Sequence, residues 1–123
     1  MERVSELIDR VGAAYRLPPE RETDLRIALD EVVTNIVKYA YTDKANHDIR
    51  IRCELLDGRL ATTIEDDGVA FDPLQAPMPD VSSPLATRQV GGLGIVFLME
   101  LMQSVKYERV GARNRLTLVQ EIT

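Results

Sequence analysis

The sequence predicts a two-layer α/β sandwich, in which about three helices cover one face of a mostly antiparallel mixed sheet. Two observations predict it. Apolar residues recur at helical spacing through the first third of the chain, then switch to strict alternation after Asp48. The elements also run in the order helix, helix, strand, strand, long loop, helix, strand, strand, which suits hairpins backed by helices on one side. At 123 residues the chain fits a single domain over positions 1–123. That length buries roughly two-thirds of the unfolded surface without disulfides or a structural metal.

Val4, Leu7, Ile8, Val11, Ala14 and Tyr15 mark a first amphipathic helix, which Leu17-Pro18-Pro19 stops. The same prolines suit the first turn of a second helix. There Leu25, Leu29, Val32, Ile36, Val37 and Ala40 form an apolar stripe running to about Tyr41. Beyond the polar segment Thr42 to Asp48, Ile49, Ile51, Cys53 and Leu55 alternate with Arg50, Arg52 and Glu54, as in a half-buried strand. Asp57-Gly58 reads as a hairpin turn, and Leu60, Thr62 and Ile64 continue in a partner strand that ends at Asp66-Asp67-Gly68.

Pro73, Pro77, Pro79 and Pro84 predict an irregular loop of about 72–90, long enough to suggest a lid. Gly91-Gly92-Leu93-Gly94 then leads into a short helix with Ile95, Leu98, Met99 and Met102, where both methionines read as core packing. Val105 to Val110 and Arg115 to Ile122 are the last two strands, with Gly111 to Asn114 as their turn.

Composition narrows the function. The net charge of -5, with no Lys/Arg run interleaved with aromatics, opposes a nucleic-acid partner. Cys53 is the single cysteine and forms no internal disulfide; with no secretory signal and no bilayer-length apolar run, a cytoplasmic location and no membrane partner are expected. His47 sits in a polar connection without a second ligand and is given no metal role.

Three short segments carry candidate chemistry. In DEVVTNIVKYAY, Glu31 and Asn35 lie one helical turn apart, so a carboxylate and a carboxamide project side by side. The amide oxygen is a hard ligand for Mg²⁺, and the carboxylate is suited to accept a hydroxyl proton. Taken alone, most such pairs are the solvated face of an amphipathic helix. In IEDDGVAFDP, a strand ends on Asp66 and Gly68 permits close backbone approach, an arrangement suited to receiving an exocyclic amine and also found in ordinary turns. GGLG exposes backbone N–H groups at the positive end of a helix, where polyphosphate binds; isolated Gly-rich helix starts are common.

It is the joint order that is specific: acid and amide on a helix, Asp-x-Gly after a strand, lid, then Gly-x-Gly before a helix. That order resembles the N, G1 and G2 boxes of the ATP-binding superfamily containing gyrase, Hsp90, histidine kinases and MutL. Within it, ALDEVVTNIVKYAY, DDGVAFDP, GGLGIVFLMELM and YERVGARNRLTLV are most similar to the anti-sigma-factor serine/threonine kinases of partner-switching systems. The resemblance covers nearly the whole chain. It implies a Bergerat-type ATP-binding fold and a protein kinase using ATP and Mg²⁺. Asn35 would hold Mg²⁺, Glu31 would be the general base, and Asp66 would read adenine above Gly68 and Ala70. Gly91, Gly92, Leu93 and Gly94 would cradle phosphates, with Lys38 near them, and Thr117 would support the adenine contact. The implied partners are a STAS-domain anti-sigma factor antagonist and a sigma factor or similar regulator, with Arg3 as a partner-binding residue and a homodimer as a possible assembly.

Several positions depart from the pattern. Ala70 stands where the G1 box usually has its second glycine, Val90 where some kinases have arginine, and Tyr39 where the family often has histidine. Arg88 is a candidate replacement for the cation missing at Val90, and a strand expected before the first helix is absent. Two other readings share the same pocket: a non-catalytic nucleotide-binding module that sequesters its partner, and the catalytic domain of a histidine kinase. A purely structural use of the glycines and acids is a third.

Overall fold

In the computed structural model, residues 2–41, 47–75 and 98–122 are described. Most of the expected lid, and all of Gly91 to Gly94, lie outside them.

Helix α1 (Glu2–Tyr15) ends where Arg16 turns left-handed at φ 53°, and the Leu17 N–H returns to the Gly12 carbonyl at 3.0 Å. Helix α2 (Pro19–Asn35) starts at a proline, whose missing N–H costs nothing in a first turn. Arg21 and Glu22 donate their N–H groups to the Pro18 carbonyl. The helix does not stop at Asn35. It widens into a π turn over Ile36–Ala40, in which the Tyr41 N–H reaches the Ile36 carbonyl at 3.2 Å.

Strands β1 (Arg50–Leu56) and β2 (Arg59–Asp66) form a hairpin whose turn residues, Asp57 and Gly58, take φ of 49° and 76°. Both are left-handed, as a two-residue turn matched to strand twist requires. Strands β3 (Ser104–Val110) and β4 (Arg113–Glu121) form the second hairpin, and the sheet order is β1-β2-β4-β3. All three strand pairs among the described residues are antiparallel, so the expected mixed character is not seen there.

The helices cover one face of this sheet, as expected. Leu60, Thr62, Ile64 and Asp66 of β2 and Asn114, Leu116, Leu118 and Gln120 of β4 are buried on that face. They share a core with Ile8 and Val11 of α1 and Leu25, Ala28, Leu29 and Val32 of α2. Each large apolar side chain buried there contributes about 1.5–3 kcal/mol of transfer free energy.

Two details differ from the sequence reading. Residues 98–101 are helical, with Leu98 and Met102 in the core, but Met99 is 53% exposed. Leu98 and Met102 are one turn apart and take the inward face, which turns Met99 outward. The β3–β4 turn is also shorter than Gly111 to Asn114. Gly111, at φ 60°, lets Gly111-Ala112 close it alone, so Val110 pairs with Arg113 and Asn114 becomes a strand residue opposite Asp66. No helix among the described residues is long and apolar enough to cross a membrane.

Candidate functional site

Asp66 is the last residue of β2 and only 2% exposed. Its Oδ1 receives two hydrogen bonds, from the Gly68 N–H at 2.9 Å and from Asn114 Nδ2 at 2.9 Å. Both donors land on the same carboxylate oxygen, and the carboxylate keeps acceptor capacity at the other.

The second donor is fixed in turn. Asn114 Nδ2 also donates to the Val69 carbonyl at 2.8 Å. Its Oδ1 accepts from the Phe71 N–H at 3.2 Å, the Tyr107 hydroxyl, and Arg109 Nη1 at 3.2 Å. Arg109 Nη1 reaches the Gly68 carbonyl as well, at 2.8 Å. The segment Gly68 to Phe71 is therefore held along its length by the end of the β3–β4 hairpin.

Gly68 meets a different constraint on its other side. A Cβ there would lie 2.5 Å from the Ala40 carbonyl oxygen, closer than real Cβ atoms come. The missing side chain lets the Val69 N–H dock on that same carbonyl at 2.9 Å. The exit of β2 is thereby tied to the π turn that follows Asn35. Asn35 is 4% exposed and shares a cavity with Asp66, Asn114 and Phe71. The cavity is about 20 Å³, room for one water molecule. Phe71 also stacks on Tyr39 of the π turn, with ring centroids 5.2 Å apart.

Among the residues predicted from sequence, Asn35, Asp66 and Gly68 come together here. Glu31 is half-buried one turn before Asn35, outside the cavity wall, and Lys38 is exposed on the π turn. Ala70 is exposed and not among the residues at positive φ, so alanine is unstrained where a glycine was expected. Thr117 is not in the site. It pairs with Thr63 and Lys106 in the middle of the sheet, one residue out of phase with the buried Leu116 and Leu118, on the opposite face from the cavity. Arg3 lies elsewhere, beside an open groove of about 740 Å³ lined by Val4, Leu7, Arg10, Ile49 and Ile51. Gly91, Gly92, Leu93 and Gly94 lie outside the described residues.

Asn114, Tyr107 and Arg109 belong to the site and were not singled out from sequence. The signal was there: Asn114 is in phase with Leu116 and Leu118, so a strand extended two residues back puts it inward beside Asp66. At the margin, His47 Nδ1 lies 3.1 Å from Asp67 Oδ1 and the ring stacks on Tyr41 at 4.0 Å. Tyr41 is pushed up to about 12, by burial first and then by the charges of Asp66, Asp67 and Asp48.

Asp66, braced by a neighbouring strand, and the buried helix amide of Asn35 thus line one cavity. The profile of the histidine kinase-like ATPase domain family matches residues 1–120, the full extent of this arrangement. The chain belongs to that family.

Curated relatives of this ATPase-family domain have kinase and anti-sigma names. The serine/threonine-protein kinase BtrW of Bordetella bronchiseptica is 32% identical over 76% of this chain and 66% of its own length. The serine-protein kinase RsbW of Listeria monocytogenes is 29% identical over 84% and 66%. The anti-sigma F factor of Clostridium novyi is 25% identical over 72% and 62%. The chain thus spans slightly less than two-thirds of the length of these relatives. Among solved structures, the histidine kinase domain of a blue-light activated histidine kinase from Erythrobacter litoralis superposes with a TM-score of 0.61 at 20% identity, covering 85% of this chain and 46% of that one. At that identity the likeness is one of fold.

Proposed function

We propose that this ATPase-family domain binds Mg-ATP and transfers the γ-phosphoryl group to a serine or threonine of a STAS-type anti-sigma factor antagonist. Free of that antagonist, it holds a sigma factor or similar regulator. The observation that carries the nucleotide reading is Asp66, whose Oδ1 takes both Gly68 and Asn114 as donors and which lines a cavity together with Asn35. An acceptor fixed in that way selects an exocyclic amine such as adenine N6. The kinase reading draws on the names of the relatives, BtrW and RsbW, and the anti-sigma reading on the anti-sigma F factor.

The residues suit the roles. The Asn35 carboxamide offers Mg²⁺ one oxygen ligand, and Mg²⁺ characteristically completes its shell with phosphates and water. Bound metal supplies charge neutralisation at the phosphates. Glu31, one turn earlier, takes the proton of the attacking hydroxyl. Gly91, Gly92, Leu93 and Gly94 receive the phosphates and Lys38 lies near them. Arg3 contacts the protein partner. A purine is far larger than 20 Å³, so nucleotide binding displaces the cavity wall formed by Phe71 and Pro73.

Incubation with labelled Mg-ATP and a STAS-domain protein, followed by mass spectrometry of that protein, tests the proposal. Phosphate on a serine or threonine is expected. Glu31→Ala should lower transfer by about 100- to 10,000-fold while ATP affinity holds. ATP binding with no transfer to any STAS protein would instead identify a sequestering module without kinase activity.

A further inference from the structure

The site includes a device for orienting Asp66 that lies on the edge strand, away from the three sequence boxes. Tyr107 and Arg109 alternate on β3, so both point to the same sheet face, and Arg109 pairs directly with Asn114 across the hairpin. Together with the Phe71 N–H, they aim three donors at Asn114 Oδ1. An amide can present either its oxygen or its nitrogen in a given direction, and the two orientations fill the same space. Three converging donors decide between them, because the flipped amide would put its NH₂ against donors that it cannot accept from. The selected orientation sends Nδ2 to Asp66 Oδ1 and to the Val69 carbonyl. A flipped amide would instead press an oxygen against the Asp66 carboxylate.

We propose that Tyr107 and Arg109 are positioning residues for nucleobase discrimination, acting through Asn114 to fix the orientation of the Asp66 carboxylate toward the base. The proposal rests on the reading of this cavity as a nucleotide site. Neither residue has to touch the ligand for this role. Asn114 commits both amide hydrogens and its oxygen to protein partners, so it too acts through Asp66. With the carboxylate held in one orientation as a pure acceptor, a base with an amine at C6 is favoured, and a base with a carbonyl there meets oxygen against oxygen. Losing the brace lets the amide and carboxylate rotate, which lowers affinity for the amine base and relaxes rejection of the carbonyl base. Arg109 has a second attachment, to the Gly68 carbonyl, so its removal also loosens the turn that supplies the other donor to Asp66.

The test compares Mg-ATP with Mg-ITP, whose bases differ at C6, by calorimetry on the full chain. Wild type should prefer ATP. Tyr107→Phe should shrink the ATP-to-ITP affinity ratio about threefold and Arg109→Ala about tenfold, the range expected for losing one neutral and one charged hydrogen bond. Arg109→Lys, which keeps a donor for the Gly68 carbonyl, should recover part of the ratio. A change that merely destabilised the fold would weaken both nucleotides together and leave the ratio alone. An ATP-preferring wild type whose ratio is unmoved in both Tyr107→Phe and Arg109→Ala overturns the brace and leaves the nucleotide site standing. A wild type that binds neither nucleotide overturns both readings.

Discussion

Strand β2 begins just after Asp57-Gly58 and ends just before Asp67-Gly68, so one dipeptide flanks it at both ends. At the first, both residues are left-handed and the chain simply reverses into β2. Backbone conformation is the whole requirement there, and it is local. At the second, Gly68 is not at positive φ, and what matters is the Ala40 carbonyl 2.5 Å from where a Cβ would be. That glycine answers to a helix that ended 28 positions earlier in the chain, counting from Ala40 to Gly68. Identical residues thus serve turn chemistry at one end and tertiary approach at the other, and it is the second end that holds the buried acid.

The sharpest way to break this contrast is to put alanine at each glycine. Gly68→Ala forces backbone apart from backbone, with no flexible side chain to yield, and should destabilise by about 3 kcal/mol, the upper part of the overpacking range. It should also abolish nucleotide binding, because Val69 and the Asp66 turn lose their seat on the π turn. Gly58→Ala places a Cβ at φ 76° and should cost about 1 kcal/mol with nucleotide affinity unchanged. Denaturant midpoints paired with calorimetry measure both. Equal effects of the two substitutions on binding would refute the distinction.

The next largest effect isolates charge from shape. Asp66→Asn keeps the size of the side chain and offers Gly68 and Asn114 an oxygen, but it turns an NH₂ toward the cavity. Donor would then face donor at adenine N6. ATP affinity should fall about 10- to 100-fold, as for losing a hydrogen bond to a charged group, with stability changed far less than in Gly68→Ala. Asp57→Asn, at the other end of the strand, should leave affinity unaltered, since asparagine tolerates the left-handed turn as well as aspartate does. Retained ATP affinity in Asp66→Asn would remove Asp66 from base recognition.

How much of this was legible in the sequence follows the same line between local and tertiary causes. The period switch after Asp48, the proline start of α2 and the Asp57-Gly58 turn are local, and each is found where the pattern puts it. The inward placement of Asn35 and Asp66 followed from motif order as much as from periodicity. The β3–β4 turn is shorter than the sequence suggests, because Gly-Ala-Arg-Asn contains two turn-favouring residues and the turn closes on the first pair alone. The shorter turn puts Asn114 in the strand opposite Asp66, whereas Thr117, which the family resemblance implies as support for the adenine contact, is out of phase with the buried residues of β4. Thr117→Ala should therefore leave ATP affinity within about twofold, while Asn114→Ala should lower it about tenfold. The π turn after Asn35 has no signature in IVKYA; it is fixed by docking of Val69 on Ala40, a contact no local pattern encodes.

The acid-rich end of β2 also marks a neighbour, which gives the smallest effect. The Tyr41 hydroxyl is buried with no hydrogen-bond partner among the described residues and pushed up from 10.0 to about 12, first by burial and then by Asp66, Asp67 and Asp48. The folded chain therefore keeps a phenol proton that the unfolded chain releases at lower pH. Where the folded state binds more protons, stability declines as pH rises, so the contribution is intact below about pH 10 and is lost progressively toward pH 12. Tyr41→Phe removes that slope, and at neutral pH deleting that hydroxyl should change stability by less than about 0.5 kcal/mol. Denaturant midpoints for both proteins at pH 7 and near pH 11 measure it. Wild type should lose more than Tyr41→Phe between the two, and parallel losses would mean that neither burial nor the neighbouring acids hold the Tyr41 proton in the folded chain.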